Sequence, residues 1–172
     1  PQMGSVRPNV FKKPDRIADS WGRIQLEQVD LKPEDIRTKR LDFIPFSKSG
    51  YNIQEADIIV AGGRGMGSKE NFDKLYELAD AIGGVVGATR PLVEKGWIEL
   101  PYQVGQTGKT VSPKLYLAFG ISGAIQHVSG ISGADTIVAI NNDPKAEIFQ
   151  HANYGIVGDC IEVLNDMLAH LK

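Results

Sequence analysis

From residue 56 to the C-terminus, short runs of branched apolar residues alternate with stretches of helical periodicity. The apolar runs predict strands at residues 58–61, 85–88, 115–121, 136–140 and 154–157. Near-continuous apolar strands separated by helices are typical of a parallel sheet that is covered on both faces. We therefore predict an α/β fold with a doubly wound, mostly parallel sheet and helices on both faces.

Two helical stretches are clearest in this pattern. The first begins near Ser68, a good helix-capping residue, and ends at Gly83 and Gly84, where glycine lets the backbone leave the helix. The second covers about residues 160–171 and has an apolar stripe with polar residues outside it. Both stripes predict packing against the sheet rather than ligand binding.

Residues 1–50 have a different character, rich in proline and charge, with only two short apolar stretches, at 24–29 and 41–46. We interpret these stretches as isolated strands. The predicted organisation is a linker or remnant of an N-terminal domain at residues 1–50 and one ligand-binding domain at residues 51–172. Because the chain starts at Pro1 without a methionine, we expect it to be a piece of a longer protein.

Composition narrows the classes of function. The 172 residues carry a formal charge of -2, which disfavours nucleic acid as a partner. No apolar run approaches the roughly 20 residues that cross a bilayer, so we expect no membrane insertion. The one cysteine, Cys160, cannot form an internal disulfide and fits a reducing compartment. No cluster of residues has metal-ligand spacing, and we predict no metal.

In sheets of this kind ligands bind beyond the carboxyl ends of the strands, so the turns that follow the strands are the candidate sites. The turn at residues 62–67 is rich in glycine and precedes a helix, as phosphate-binding turns do, but it lacks the Gly-Lys-Ser/Thr ending of a Walker sequence. Thr89 and Arg90 place a hydroxyl and a cation directly after the second strand.

Two later segments complete this edge. Residues 103–110 form a polar loop whose amides and hydroxyls suit a heterocycle such as a flavin ring. Residues 120–127 repeat the glycine-to-helix pattern and end at His127, for which we favour a functional role, whereas His151 and His170 are interpreted as surface or packing residues. Asp159 follows the last strand and is equally suited to a nucleotide contact or to capping the last helix.

Taken together, these residues resemble the electron-transfer flavoprotein alpha subunit, in its C-terminal FAD-binding domain. The most specific strings are Gln-Val-Gly-Gln-Thr-Gly at 103–108, residues 120–127 and Val-Ala-Ile-Asn at 138–141. Residues 1–8 look like the end of the amino-terminal domain of that family, and residues 35–38 like its connecting segment.

The resemblance implies one bound FAD. Thr89 stands where the family commonly has serine, and threonine also carries a hydroxyl. Carried over by motif position, the FAD contacts would be Arg64, Thr89, Arg90, Val104, Gly105, Gln106, Thr107, Ser122, Gly123, Ala124, Ile125, Gln126, His127, Asn141 and Asp159.

Three of these residues are expected to tune the redox potential rather than to catalyse a reaction. Reduction brings negative charge to the N1 and C2 carbonyl region of a flavin, where a cation or strong donor stabilises it. By resemblance, Arg90 is the cation beside the ring, His127 the donor at the C2 carbonyl and Thr107 the hydroxyl near N5. The glycines around Ser122 would cradle the diphosphate.

The resemblance also implies a heterodimer with an electron-transfer flavoprotein beta subunit. Electrons would come from flavin dehydrogenases such as acyl-CoA dehydrogenases, in fatty acid oxidation, and go to a quinone oxidoreductase. Bacterial cytoplasm and mitochondrial matrix both fit. We find no nucleophile with a base and no paired acid and base, so we expect a redox carrier rather than an enzyme.

Two alternatives come from other classes. One is the dinucleotide-binding domain of a nicotinamide-dependent oxidoreductase, although the first glycine turn lacks the full spacing and its nearest downstream acid, Asp80, falls within a helix. The other is a non-catalytic nucleotide-binding module. Colour separates them, because a flavin absorption band excludes simple nicotinamide binding.

Overall fold

The computed structural model describes residues 2–6, 15–18, 21–42 and 52–171. Its centre is a five-stranded sheet composed of β1 (Ile58–Gly62), β2 (Val85–Ala88), β3 (Leu115–Phe119), β4 (Thr136–Asn141) and β5 (Tyr154–Val157). The strand order is β2-β1-β3-β4-β5, and every pairing is parallel. The predicted α/β class is confirmed, with a sheet that is parallel throughout these strands.

The order reverses between β1 and β3, because the chain runs outward from β1 to β2 and then crosses back to β3. Such a switch point leaves a crevice at the carboxyl ends of the two central strands, since the connections after them go to opposite sides. The register pairs Gly62 with Phe119, so the turns after β1 and β3 start side by side.

Within the described ranges, four α-helices accompany the sheet: α1 (Lys69–Ile82), α2 (Arg90–Glu94), α3 (Ile125–Val128) and α4 (Cys160–His170). The Ser68 hydroxyl accepts a hydrogen bond from the Asn71 amide and caps α1, and Gly83 ends that helix in the left-handed region at φ +69°. Both boundaries follow the sequence prediction, because a capping side chain and a left-handed glycine satisfy the unpaired groups at helix ends.

Two apolar cores lie on the two faces of the sheet. One contains α1 and α4 with Phe72, Leu75 and Leu164 against the strands. The other is covered by α3 and by short 3-10 turns at Ile53–Glu55 and Glu147–Gln150, which bury Ile53 and Ile148. Helices therefore reach both faces, although the second face is covered mainly by short elements and loops.

Three local predictions are wrong. Residues 24–29 form no strand and their apolar side chains are exposed, because they pair with no strand among the described residues. The third strand ends at Phe119 rather than at residue 121, because Gly120 adopts φ +60° and turns the chain. The strand β5 is exposed along its length rather than covered, whereas β2, at the opposite edge, is mostly buried. Of the predicted strand at 41–46, residues 43–46 lie outside the described residues, and 41–42 are not in a strand.

Candidate functional site at the carboxyl edge of the sheet

A cavity of about 580 Å³ opens at the switch point between β1 and β3. Its volume falls within the range of about 300–1,000 Å³ that small-molecule and cofactor sites occupy. The turns after β1, β2 and β3 contribute to it, as does the last residue of β4. The lining residues are Gly63, Arg64, Gly65, Thr89, Arg90, Pro91, Val104, Gly105, Thr107, Gly120, Ile121, Ser122, Gly123, Ala124, Gln126, His127 and Asn141.

One wall consists of two turns, residues 63–66 and 120–124, which we call the glycine turns. They pack backbone to backbone: the Gly65 amide donates to the Gly120 carbonyl at 2.9 Å, and the Gly63 amide donates to the Phe119 carbonyl at 2.9 Å. A Cβ on Gly65 would lie 2.6 Å from the Cα of Gly120. Only glycine permits this approach, so the sequence of the turns is dictated by their contact as well as by the cavity.

Gly123 has the least room in this wall. Its φ of +91° is unfavourable for a residue with a side chain, and a Cβ there would lie 2.5 Å from the Cα of Ile148 and still closer to its nitrogen. The Ile148 amide donates to the Ser122 carbonyl at 3.0 Å, which holds the turn against the segment after β4. The turn is thus fixed from behind while its front lines the cavity.

The second glycine turn and the start of α3 present unpaired backbone donors. The amides of residues 122–126 donate to no protein acceptor within the described ranges. A run of unpaired backbone N–H groups is suited to an anion such as a phosphate group. Because α3 has only four residues, its dipole is small, and the expected phosphate cradle would depend on these amides instead.

The charge of the cavity agrees with an anionic ligand. Arg64 and Arg90 are the charged residues in its lining, and the lining contains no carboxylate. Nε of Arg90 pairs with Oε1 of Glu94 at 2.8 Å, one turn along α2, in an ion pair whose side chains are more than half exposed. An exposed pair of this kind holds Arg90 weakly, so the guanidinium remains available to a ligand.

The opposite wall is residues 103–109, which we call the polar loop. The Val104 amide donates to the Ala88 carbonyl at 2.9 Å, which anchors the loop to the end of β2. Within the loop, Nε2 of Gln103 donates to Oγ1 of Thr107 at 3.0 Å. Gln103 is buried, so this contact fixes the hydroxyl of an otherwise exposed threonine.

A buried histidine joins the polar loop to the sheet. Nδ1 of His127 lies 3.0 Å from the Val104 carbonyl oxygen, and Nε2 lies 3.0 Å from the Tyr116 hydroxyl. Burial lowers the pKa of His127 to about 4, although the Val104 carbonyl acts in the opposite direction. The imidazole is therefore neutral at neutral pH. Both its nitrogens have protein partners, so the structure leaves no ring N–H for the contact expected with a flavin C2 carbonyl.

Asn141 links the end of β4 to the glycine turns. Its Nδ2 donates to the Ile121 carbonyl at 2.9 Å, and its Oδ1 accepts from the Asp143 amide at 2.9 Å. The side chain lines the cavity, but its amide already serves to hold the turn at Ile121. Asn141 thus shapes the site through the backbone it supports.

The structure brings twelve of the fifteen sequence-predicted contact residues to this cavity. The three others are not among its lining residues: Gln106, whose amide donates to the Gln126 carbonyl; Ile125, whose side chain is exposed; and Asp159. Asp159 accepts hydrogen bonds from the amides of Ile161 and Glu162 and caps α4, which was one of its two predicted roles.

Sequence reasoning omitted five lining residues: Gly63, Gly65, Pro91, Gly120 and Ile121. Three of them are glycines in turns that the sequence had identified as candidate sites. The glycine pattern was therefore visible in the sequence, but the contact between the two turns could not be predicted from it. His151 and His170 are exposed and lie outside the lining. Within the described ranges no group of His, Cys, Asp and Glu side chains could hold a metal ion, and no helix is long and apolar enough to span a membrane.

Comparison with known proteins places this cavity in context. Residues 52–132 match the family model described as the electron transfer flavoprotein FAD-binding domain. These residues contain the glycine turns, the polar loop and His127.

Relatives match over all or nearly all of the chain. The electron transfer flavoprotein subunit alpha of Thermoanaerobacterium thermosaccharolyticum is 52% identical over 172 residues, covering 100% of this chain and 52% of the relative. Protein FixB of Clostridium saccharobutylicum is 54% identical over 174 residues, with 100% and 51% covered. The alpha subunit of Megasphaera elsdenii is 51% identical over 166 residues, with 95% and 49% covered. The chain spans about half the length of these curated relatives.

Proposed function

Because the chain belongs to the electron transfer flavoprotein alpha family and contains its FAD-binding domain, we propose that it is the cofactor-holding part of a redox carrier. In this proposal it accepts electrons one at a time from flavin dehydrogenases of the acyl-CoA dehydrogenase type and passes them to a quinone oxidoreductase or another acceptor. The observation that supports it is the cavity at the switch point, with its unpaired amides, two arginines and no carboxylate.

The residues of the cavity fit FAD in two parts. The glycine turns offer consecutive N–H donors and the Arg64 cation, which suit the diphosphate. The polar loop offers the Thr107 hydroxyl, and Arg90 lies at the end of β2 on the same edge, which suits the ring system. FAD, when bound, supplies a ring that accepts and releases electrons, chemistry that none of these side chains provides.

The role of the protein is then to bind, orient and tune. The arginines favour negative charge in the cavity, because opposite charges attract most strongly where water is partly excluded. Thr107 is held by Gln103 and can direct its hydroxyl toward a ring nitrogen. We assign no residue a part in the chemical conversion of a substrate, so we describe the protein as a carrier rather than an enzyme.

The partners follow from the same family. We propose that a beta subunit completes a heterodimer with this chain, as the subunit names of the relatives suggest. Fatty acid oxidation is the proposed source of electrons. The relatives named above come from bacteria, and we propose a location in the bacterial cytoplasm.

Absorption spectroscopy of the purified protein tests cofactor and carrier roles in sequence. We expect a flavin absorption band, and we expect the protein to release FAD when it is denatured. A reduced acyl-CoA dehydrogenase should bleach the band. The protein alone should form no small-molecule product. A colourless protein that binds a nicotinamide nucleotide would instead favour the oxidoreductase alternative. Co-purification with a tagged beta subunit tests the heterodimer, and failure to associate would contradict it.

A further inference from the structure

Tyr116 lies on β3 behind the cavity wall and is fully buried. It is not among the residues that line the cavity, whereas its partner His127 is. Two hydrogen bonds connect the Val104 carbonyl oxygen, the His127 ring and the Tyr116 hydroxyl. Nδ1 of His127 lies 3.0 Å from the carbonyl oxygen, and Nε2 lies 3.0 Å from the hydroxyl oxygen. The hydroxyl of Tyr116 therefore reaches the cavity through its hydrogen-bond partner, His127.

The carbonyl determines where the hydrogens lie in these two hydrogen bonds. A carbonyl oxygen only accepts, so Nδ1 of His127 must carry a hydrogen. A neutral imidazole then has a bare Nε2, and the Tyr116 hydroxyl must donate to it. In this state the ring has no N–H left for a ligand in the cavity.

Adding a proton at Nε2 changes the direction of one bond only. A hydroxyl can accept as well as donate, so Nε2–H can donate to the oxygen of Tyr116 while Nδ1–H still donates to Val104. The reversal frees the buried hydroxyl hydrogen, which has a cost, and burial already disfavours the charged ring. Negative charge in the cavity acts in the opposite direction, because a nearby anion favours the protonated form.

We propose that Tyr116 is a positioning residue that lets His127 respond to the charge of the bound cofactor. Before reduction the pair holds the ring as the neutral Nδ1–H tautomer. If a reductant added one electron to a bound cofactor, Nε2 would take up one proton from the solvent and donate it in a hydrogen bond to the Tyr116 oxygen. No bond between heavy atoms forms or breaks. This inference rests on the proposed function, because it requires a reducible cofactor in the cavity.

Other titratable groups near the ring do not supply this acceptor. Arg64 and Arg90 on the cavity wall and Lys109 in the polar loop are cations, and α3 contains no second titratable residue. The lining has no carboxylate that could take the proton instead. Within the described part of the chain, Tyr116 is thus the titratable side chain that contacts His127.

Nitrogen-15 spectra of the imidazoles in the oxidised protein test the resting state. The chain has three histidines, and the His127 signals are those that disappear in His127→Gln. We expect a protonated Nδ1 and a bare Nε2 at pH 7. A protonated Nε2 under these conditions would overturn the proposal, whatever the protein does on reduction.

Counting protons tests the coupled step. On reduction in weakly buffered solution at pH 7, with an indicator dye, the unmodified protein should take up one more proton per flavin than His127→Gln. Tyr116→Phe should resemble His127→Gln, because phenylalanine leaves the protonated Nε2 without an acceptor. Tyr154→Phe is the matched control, since Tyr154 is exposed on β5, and it should resemble the unmodified protein.

The outcomes separate the two levels of inference. Equal proton uptake in all four proteins, each holding a reducible flavin, would overturn the inference alone. Uptake lowered by His127→Gln but not by Tyr116→Phe would overturn the role of Tyr116. A protein that holds no reducible flavin would overturn the proposed function, and this inference with it.

Discussion

The two walls of the cavity are built by different means. The glycine turns contact each other through backbone atoms, with no space for a Cβ between Gly65 and Gly120. The polar loop has backbone hydrogen bonds too, but side chains also hold it, through Gln103 to Thr107 and through His127 to Val104. The same edge of one sheet thus combines a wall of fixed shape with a wall whose hydrogen bonds can change.

This difference separates two kinds of sensitivity. In the glycine turns any added atom must displace backbone, so substitution should affect whether a ligand fits at all. In the polar loop a conservative substitution keeps the shape, so it should change hydrogen bonding, protonation and the electronic properties of a bound ligand. Four measurements test this division.

The largest effect is expected at Gly123. We expect Gly123→Val to abolish FAD retention, because even the first side-chain carbon meets the backbone of Ile148 and the φ of +91° disfavours it. The measurement is the flavin-to-protein ratio after gel filtration. Gly123→Ala and Gly158→Ala form a matched pair, since a Cβ on Gly158 meets nothing within 4 Å. Retention of FAD by Gly123→Val would show that this wall is not rigid.

Acid should weaken the polar-loop wall. The folded pKa of His127, about 4, lies below the ordinary value of 6.5, so the unfolded chain binds the extra proton first. The stability that the neutral ring contributes is complete above about pH 6.5 and is lost as pH falls toward 4, by on the order of 3 kcal/mol. Urea unfolding at pH 7 and pH 4.5 measures this loss.

His127→Gln is the control for the acid effect, because glutamine does not titrate. Its free energy of unfolding should fall less between the two pH values than that of the unmodified protein. If the free energy of unfolding falls equally in both proteins, the His127 ring is not buried as a neutral group. The proposed difference between the two walls is then wrong for the polar loop.

A smaller effect is expected just outside both walls. Asp159→Ala removes the cap of α4 and should lower the free energy of unfolding by about 1 kcal/mol, while FAD affinity changes little. Asp159→Asn keeps a capping oxygen and serves as the control. A fall in FAD affinity without loss of stability would instead support the nucleotide contact that the family resemblance implies for Asp159.

The smallest effect in free energy is expected at Arg90, whose side chain is mostly exposed. Arg90→Ala should lower the midpoint potential of the bound flavin while FAD still binds, because a cation beside the accumulating charge is lost. A shift of tens of millivolts is expected, since ~59 mV corresponds to a tenfold change for a one-electron couple. Arg90→Lys keeps the charge and should recover much of the potential. An unchanged potential in Arg90→Ala would remove Arg90 from the tuning residues.

Much of the fold followed from local sequence. Branched apolar runs and helix caps predicted five strands and the bounds of α1, because period and capping depend on neighbouring residues. The failures came from context: residues 24–29 have strand-like composition but pair with no strand among the described residues, and β5 looks buried in sequence but is exposed. A strand is stable only when a partner supplies its backbone hydrogen bonds, and that partner is distant in sequence.

The site divides in the same way. The sequence by itself determined which turns carry glycine, hydroxyl and cation, because these residue types serve the backbone and the chemistry of their own turn. Only the tertiary structure decided that Gly65 contacts Gly120, and that both ring nitrogens of His127 form hydrogen bonds, to Val104 and Tyr116. Those contacts join segments far apart in the chain, so their geometry exists only once the parallel sheet has aligned the strand ends.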